Sequence, residues 1–348
     1  MGGMWLRPES SDEVAEAVGD ARRGERALEV RGGGTVLSRL GDAARPAPTE
    51  DADVLSVEAL SGVVEHPAAD LTVTVAAGTP IDELAAAVGE AGQESPIEPQ
   101  LAGQDPLGST VGGRLGTALA SPRQLAAGRV RDWVLRVRYV TGEGRAAHAG
   151  GATVKDVTGY DLCRLLTGSW GTLAVLTEVT LKLRPIPPTR AWHRTTVPRS
   201  QWRAALHDPS AIIVDSEGTS VLLEGHPDDV AEQASSAQLA PSEPPTLPGG
   251  ARAAVDPART DDLVAELDAL GCTWAAEPAI GLVHLDGDDA ALAGARAAAE
   301  RHGGRLLRLD PDPQTPTFGA DPGPEPFAAR LQHAFDPDAV LAPWRWSS

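Results

Sequence analysis

Three consecutive glycines follow a short predicted strand near the start of the chain. The strand covers residues 28–30, and Arg31 leads from it into the glycines. Glycine accepts positive φ and has no Cβ, so such a segment can turn sharply and lay its N–H groups against an anion such as a pyrophosphate. An ordinary glycine turn is the alternative, and this segment alone does not decide between the two. The candidate contacts are Gly32, Gly33, Gly34 and Thr35.

A second glycine-rich segment lies about 75 residues further along and carries hydroxyl side chains. Hydroxyls can donate to phosphate oxygens where the backbone cannot. Two such loops suit a long dinucleotide. No lysine follows a glycine, which excludes the P-loop, and the first loop lacks the Gly-x-Gly-x-x-Gly spacing of a simple Rossmann site. The candidate contacts here are Gly108, Ser109, Thr110, Gly112, Gly113 and Ser121.

Six arginines and a single acidic residue, Asp132, lie between Pro106 and Gly142, although the whole chain has a formal charge of −19. The local charge of about +5 fits a doubly charged pyrophosphate. Solvated arginines on a strand and a loop are the alternative, since surface arginines need no ligand. The six are Arg114, Arg123, Arg129, Arg131, Arg136 and Arg138.

Helix and strand signals place these loops in an α+β frame. Residues 8–18 predict a helix capped by Ser10, Ser11 or Asp12, and residues 78–83 predict the start of another, with Thr79 as cap and Pro80 at the first position. Alternation predicts a hairpin with its turn at residues 141–144. Successive prolines at residues 185–188 predict a domain boundary after residue 187. The predicted strands are residues 28–30, 53–57, 71–75, 134–140 and 173–183.

The remainder of the chain is less informative. Short strand patterns at residues 211–214 and 281–285 and a helical pattern at residues 260–270 suggest a small α+β unit without an internal repeat. Stretches rich in Pro, Ser, Ala and Gly at residues 234–258 and 310–326 are expected to be loops.

Composition excludes several classes of function. The strongly negative charge opposes nucleic acid and anionic membrane surfaces. Cys163 and Cys272 are far apart, and no two of the eight histidines fall three to five residues apart, so neither a disulfide scaffold nor a metal site is predicted. No apolar run reaches the roughly 18–20 residues of a membrane span, and no signal peptide is recognised. We therefore expect a cytoplasmic protein without direct membrane insertion.

Together, several segments resemble one family, the FAD-binding subunit of bacterial glycolate oxidase, which belongs to the vanillyl-alcohol oxidase, or PCMH-type, flavoproteins. The resemblance covers roughly residues 5–187, with a weaker echo at residues 335–337. Asp156, Trp170 and Ala174 depart from the family's usual residues, as does the tail at residues 342–345. The segments that carry the resemblance are residues 32–35, 78–80, 112–113, 130–132, 155–161 and 168–173.

This resemblance implies an α+β fold: a PCMH-type FAD-binding domain of two α+β subdomains over residues 1–187, and a smaller α+β cap over residues 188–348. The two glycine loops would hold the FAD pyrophosphate. The strand at residues 173–176 would line the isoalloxazine or the adenine. The first loop has no histidine, so FAD is expected to be held non-covalently. The further contacts implied are Arg129, Val130 and Val175.

The implied function is oxidation of a 2-hydroxy acid such as glycolate or D-lactate, with flavoprotein and iron–sulfur subunits as partners. The alternatives are a self-sufficient FAD dehydrogenase acting on another alcohol or hydroxy acid, and a non-catalytic subunit that binds FAD only for structure. Related stand-alone enzymes carry paired histidines in the C-terminal domain, and this chain has none there. Tyr139, Tyr160, His148 and His193 are acid–base candidates, but none is singled out as catalytic.

Overall fold

A computed structural model describes residues 3–35, 52–97, 109–119, 121–151, 160–309 and 326–342. The first half of the chain holds two small sheets. A parallel three-stranded sheet has the order β1-β3-β2, and an antiparallel five-stranded sheet has the order β4-β5-β9-β7-β8. The strands of these sheets are β1 (Trp5–Leu6), β2 (Leu28–Arg31), β3 (Asp53–Ser56), β4 (Val63–Glu65), β5 (Thr72–Ala76), β7 (Val134–Thr141), β8 (Ala146–Gly150) and β9 (Ala174–Lys182), and β6 (Gln93–Glu94) pairs separately with β10 (Arg184–Pro185).

The helices of this half cover the two sheets through apolar faces. In the first of them, the Ser10 hydroxyl caps the helix by accepting from the Glu13 N–H at 3.2 Å, and Val14 and Val18 are fully buried. Thr79 does not cap the next helix as predicted, because its hydroxyl donates to Ala76 O at 2.7 Å instead. The helices are α1 (Ser11–Arg23), α2 (Ile81–Gly89), α3 (Val111–Thr117), α4 (Gln124–Ala127) and α5 (Leu162–Leu166), with short 3-10 turns at Ala68–Asp70 and Val130–Trp133.

The cap is built on one eight-stranded antiparallel sheet with the order β14-β11-β13-β12-β16-β17-β15-β18. Its first strand begins at Thr189, two residues beyond the predicted boundary. The predicted loop over residues 234–258 is wrong in part, because it contains β14 and β15. The elements are β11 (Thr189–Thr195), α6 (Arg199–Trp202), β12 (Ala211–Asp215), β13 (Gly218–Gly225), α7 (Pro227–Ser236), β14 (Ala240–Pro241), β15 (Ala251–Ala254), α8 (Thr260–Ala269), β16 (Thr273–Glu277), β17 (Leu282–Asp286), α9 (Asp289–Arg301) and β18 (Arg305–Arg308).

The cap contains an internal repeat, contrary to the sequence prediction. Elements β11 to β14 and elements β15 to β18 each follow the order β-α-β-β-α-β, the split βαβ motif. The two halves join edge to edge through β12 and β16. Corresponding strands of the two halves differ in length, since β11 has seven residues and β15 four, and β13 has eight and β17 five. This divergence hides the repeat from the sequence.

The last described segment returns to the first half of the molecule. It contains α10 (Pro326–Phe335), after which the buried Asp336 carboxylate accepts from the Val340 and Leu341 N–H groups at 2.9 and 2.7 Å. Leu28 and Leu341 form a parallel bridge, and Leu341 is fully buried in the core of the first half. Residues 335–337, which carry the weak echo, therefore belong to a segment that packs on the first half of the molecule. Within the described residues, no helix is long and apolar enough to cross a membrane.

Candidate functional site

Both predicted glycine loops line one open cleft between the two small sheets. The cleft gathers segments that are distant in the sequence, including the ends of β2 and β3, most of α3 and the turn before β9. The lining residues are Val30, Arg31, Gly32, Gly33, Gly34, Thr35, Val57, Ser109, Thr110, Gly112, Gly113, Gly116, Thr117, Ser169, Trp170, Gly171, Ala174 and Leu176.

The first loop presents bare backbone to the cleft. Among the described residues, no protein acceptor takes the N–H groups of Gly32, Gly33 or Gly34. Gly34 has φ +66°, a left-handed conformation that glycine adopts without a steric cost. The Arg31 guanidinium binds the carboxylate of Glu29, which is 1% exposed. The loop therefore offers three consecutive amides to an anion, and its neighbouring arginine is already paired.

The second loop has the same kind of composition but uses its amides internally. The Val111 N–H donates to Thr79 O at 2.9 Å, and the Gly112 N–H donates to Ala77 O at 2.7 Å. The Gly113 N–H donates to the Thr110 hydroxyl oxygen at 3.2 Å. Gly112 and Gly113 thus line the cleft without free amides. In this loop the Ser109 hydroxyl has no protein partner among the described residues and can face a ligand.

Two glycines, Gly32 and Gly116, show that the two loops are in contact and that part of the cleft wall carries no side chain. A Cβ on Gly32 would fall 2.1 Å from the Thr110 hydroxyl oxygen, so the two loops touch. A Cβ on Gly116, in α3, would meet nothing within 4 Å. Bare backbone therefore forms part of the cleft wall, and a ligand has room to approach it. This arrangement fits a dinucleotide that needs amide donors and a wall without side chains.

A turn before β9 closes one side of the cleft. Ser169, Trp170 and Gly171 line it, followed by Ala174 and Leu176. The Trp170 N–H donates to Gly116 O at 2.9 Å, which ties the turn to α3.

Several predicted contacts lie elsewhere or outside the described residues. The Val175 side chain is fully buried in the core formed with α1, so its neighbours Ala174 and Leu176 face the cleft instead. The Ser121 hydroxyl oxygen accepts from the Arg123 N–H at 3.0 Å. Arg129 is exposed, and Val130 packs in the main core; neither lines the cleft. Gly108 and residues 155–159 lie outside the described residues.

Other lining residues were missed by the sequence argument. Val30 and Val57 end neighbouring parallel strands, and parallel strands end at the same edge of a sheet. A prediction that the strands at residues 28–30 and 53–57 pair in parallel would have indicated Val30 and Val57 as lining residues. Gly116 and Thr117 continue α3 for a turn beyond the second loop, at helical spacing from Gly113.

The predicted arginine patch does not form at the cleft. None of the six arginines lines it. Arg136 and Arg138 pair with Glu178 across the sheet, and Arg123 lies at the junction between the first half and the cap. Sequence proximity misled the prediction, because alternate positions on a strand and the ends of a loop point to different surroundings.

The junction cluster consists of two buried carboxylates, Glu94 and Glu224, bound by Arg123, Arg184 and Arg190. Arg184 bridges the two carboxylates at 2.8 Å each, and Arg190 lies 2.5 Å from Glu224. Glu94 and Arg123 belong to the first half, and Arg190 and Glu224 belong to the cap. The cluster therefore ties the two units together.

Burial on its own would raise the pKa of both carboxylates at the junction. For Glu94, the hydrogen bond from Arg190 and the charge of Arg123 outweigh burial and lower its pKa below the ordinary value of 4.5. For Glu224, the charge of Arg123 and the Ser210 hydrogen bond lower the pKa in the same way. Both carboxylates are therefore ionised at neutral pH.

The cleft itself is poor in titratable groups. Arg31 is the single ionisable side chain among its described lining residues. Across the described part of the chain, no group of three or more His, Cys, Asp and Glu side chains could hold a metal ion. The lining thus supplies hydrogen-bond donors and apolar contacts but no proton acceptor of the carboxylate or imidazole type.

Comparisons with known proteins bear on the segment that contains both glycine loops. The model of the FAD binding domain matches residues 4–150. Glycolate oxidase subunit GlcE of Escherichia coli (strain K12) is 42% identical over 133 residues, which are 38% of this chain and 37% of that protein. D-lactate dehydrogenase of Archaeoglobus fulgidus is 36% identical over 180 residues, which are 52% of this chain and 38% of that protein. The solved structure of alkyldihydroxyacetonephosphate synthase superposes with a TM-score of 0.65 at 15% identity, over 97% of this chain and 76% of that chain.

Residues 4–150 are therefore an FAD-binding domain of the PCMH type, and the predicted cofactor is confirmed. The structural likeness extends over nearly the whole chain and confirms the predicted α+β fold class. The sequence matches cover 37% and 38% of the two relatives' own lengths.

Proposed function

We propose that this chain is the FAD-binding subunit of an oxidoreductase that acts on a small 2-hydroxy acid, glycolate or D-lactate, and delivers electrons to an iron–sulfur partner. The observation that carries the proposal is the cleft with three amides at Gly32–Gly34 that find no acceptor among the described residues, inside a domain matched as FAD-binding. The names of the two relatives, a glycolate oxidase subunit and a D-lactate dehydrogenase, supply the substrate class.

The residues of the cleft would hold FAD as follows. The amides of Gly32, Gly33 and Gly34 donate to the pyrophosphate, and the Ser109 hydroxyl adds a donor from the second loop. Leu176 and Val57 give apolar contact. Bound FAD would supply acceptance of the hydride equivalent. No histidine stands in the first loop, so we propose that FAD is held without a covalent bond.

The chemistry of the lining favours a subunit over a self-sufficient dehydrogenase. A 2-hydroxy carboxylate needs a cation for its carboxylate and a base within about 3 Å of its hydroxyl proton. Among the described lining residues only Arg31 is charged, and Glu29 already binds it. The base would come from residues beyond this lining or from a partner chain.

The test is turnover of the purified chain with an artificial electron acceptor and either glycolate or D-lactate. The assay is repeated after co-expression with a flavoprotein and an iron–sulfur protein encoded nearby. We expect feeble oxidation by the single chain and a large gain with the partners. Rapid turnover by the single chain, unchanged by partners, would instead establish a self-sufficient dehydrogenase. FAD binding with no turnover in either preparation would identify a non-catalytic subunit.

A further inference from the structure

Trp170 is the aromatic side chain among the described residues that line the cleft. The other lining residues are glycines, small hydroxyl residues, aliphatic residues and Arg31. An indole offers a flat, rigid apolar face with little conformational entropy to lose, which suits stacking against another planar ring.

The backbone of Trp170 adopts a conformation that tryptophan disfavours. Its φ is +55°, in the left-handed region, where a Cβ approaches the following carbonyl oxygen. The neighbouring left-handed positions of the same turn, Gly168 and Gly171, are glycines with φ +88° and +72°. Residues held in sparsely populated backbone conformations cluster at active sites and ligand-binding sites.

Hydrogen bonds fix this turn against the cleft wall. The Gly168 and Trp170 N–H groups donate to Leu115 O and Gly116 O at 2.8 and 2.9 Å, at the end of α3. The Thr172 hydroxyl donates to Ser169 O at 2.6 Å within the turn itself. The turn is thus bound to α3 and braced internally, beside a stretch of α3 where Gly116 leaves open space. The backbone position of Trp170 is therefore set before any ligand binds.

We propose that Trp170 is a stacking platform for a planar ring of FAD, and that its left-handed backbone is the cost of placing the indole in the cleft. This inference rests on the proposed FAD site and names a residue of it. FAD carries two planar ring systems, the adenine and the isoalloxazine, and both offer the same stacking chemistry. Trimmed ligands separate them, because ADP lacks the isoalloxazine and FMN lacks the adenine.

Three substitutions separate stacking from backbone strain. Trp170→Phe keeps an aromatic ring at the same backbone, whereas Trp170→Asn and Trp170→Gly remove the ring and tolerate the left-handed conformation. Ala118→Gly is the matched control, because Ala118 is also left-handed, at φ +48°, but does not line the cleft. Calorimetric titration should give an FAD Kd about tenfold or more weaker in Trp170→Asn and Trp170→Gly. We expect Trp170→Phe within about threefold of the parent chain and Ala118→Gly unchanged.

A second measurement observes ligand binding in the parent chain itself. In protein labelled with 5-fluorotryptophan, the resonance missing from Trp170→Phe identifies Trp170. A ring-current shift of that resonance on addition of FAD is expected. Reproduction of the shift by ADP would assign the adenine, and reproduction by FMN would assign the isoalloxazine.

The result that overturns the inference is specific. If the parent chain binds FAD, but the Trp170 resonance does not move and the ring-deleting variants keep its affinity, Trp170 is not a platform. If the parent chain binds no FAD at all, the proposed function itself fails. The two failures are therefore distinguishable in one series.

Discussion

The cleft and the junction between the first half and the cap differ in their polar groups: the cleft presents backbone amides, and the junction contains paired charged side chains. Among the described residues, the cleft exposes backbone amides without a protein acceptor and has one ionisable lining residue, Arg31. The junction packs three arginines around two carboxylates whose side chains are 5% and 6% exposed. Of the six clustered arginines expected at the anion site, Arg123 lies at this junction instead, and the candidate anion site is built from glycine backbone. Each of the following variants tests that division.

The largest effect is expected at the junction. Glu224→Gln removes one of two negative charges from a buried cluster of three guanidinium groups, and breaking such a buried network typically costs about 3–5 kcal/mol. Chemical denaturation should show that loss of unfolding free energy, and the folded fraction should keep its FAD affinity. Glu178→Gln is the control, because Glu178 pairs with Arg138 on the sheet surface, where about 1 kcal/mol or less is expected. Equal losses in both variants would contradict the account.

The next effect is expected in the cleft and should spare stability. Gly116→Leu places a side chain where nothing lies within 4 Å, in the space assigned to FAD. FAD binding should weaken at least about hundredfold, which is about 2.8 kcal/mol, and the melting temperature should not fall. Gly89→Leu is matched, since Gly89 is also a helical glycine with open space but lies outside the lining. An unchanged FAD Kd in Gly116→Leu would remove α3 from the site.

The pH dependence of stability separates the two regions further. The pKa values of Glu94 and Glu224 are lowered in the folded state, so their contribution is present above the ordinary value of 4.5 and is lost as pH falls through the folded-state values. The difference in unfolding free energy between the parent chain and Glu94→Gln/Glu224→Gln should be constant above about pH 5 and shrink in acid. Denaturation series from pH 3 to pH 7 test this. A difference that grows on acidification would reverse the sign and contradict the assignment.

Smaller changes in FAD affinity and in stability are expected for two serines, both predicted as FAD contacts. Ser109→Ala removes a cleft hydroxyl without a protein partner, so FAD binding should weaken about fivefold at constant stability. Ser121→Ala removes the acceptor of the Arg123 N–H, so about 1 kcal/mol of stability should be lost with FAD affinity unchanged. Titration and thermal melts of both variants are the measurement. The reverse pattern would move the site towards residue 121.

The sequence was sufficient for features that rest on local physics. Alternation and caps placed most of the core strands of the first half and the first helix, and three glycines after a strand marked the first loop. The sequence was insufficient for features that depend on contacts between segments that are distant along the chain. The local sequence does not show that the carbonyl oxygens of Ala77 and Thr79 accept from the N–H groups of the second loop. It also does not show that Arg123 forms an ion pair with Glu224, about a hundred residues away. The repeat of the cap was hidden because corresponding strands, such as β11 and β15, differ in length.

The central claim is that loop amides, and not the arginine-rich segment, hold one FAD per chain without a covalent bond. The most direct measurement is flavin content and FAD titration of the parent chain, Gly33→Val and Arg129→Gln/Arg138→Gln, each verified as folded by circular dichroism. The account predicts a yellow parent chain that releases intact FAD on denaturation, a folded but colourless Gly33→Val, because a β-branched side chain obstructs approach to the loop, and full flavin content in the arginine variant. Flavin lost from the arginine variant and retained by Gly33→Val, or flavin that stays with the precipitated chain, would contradict it.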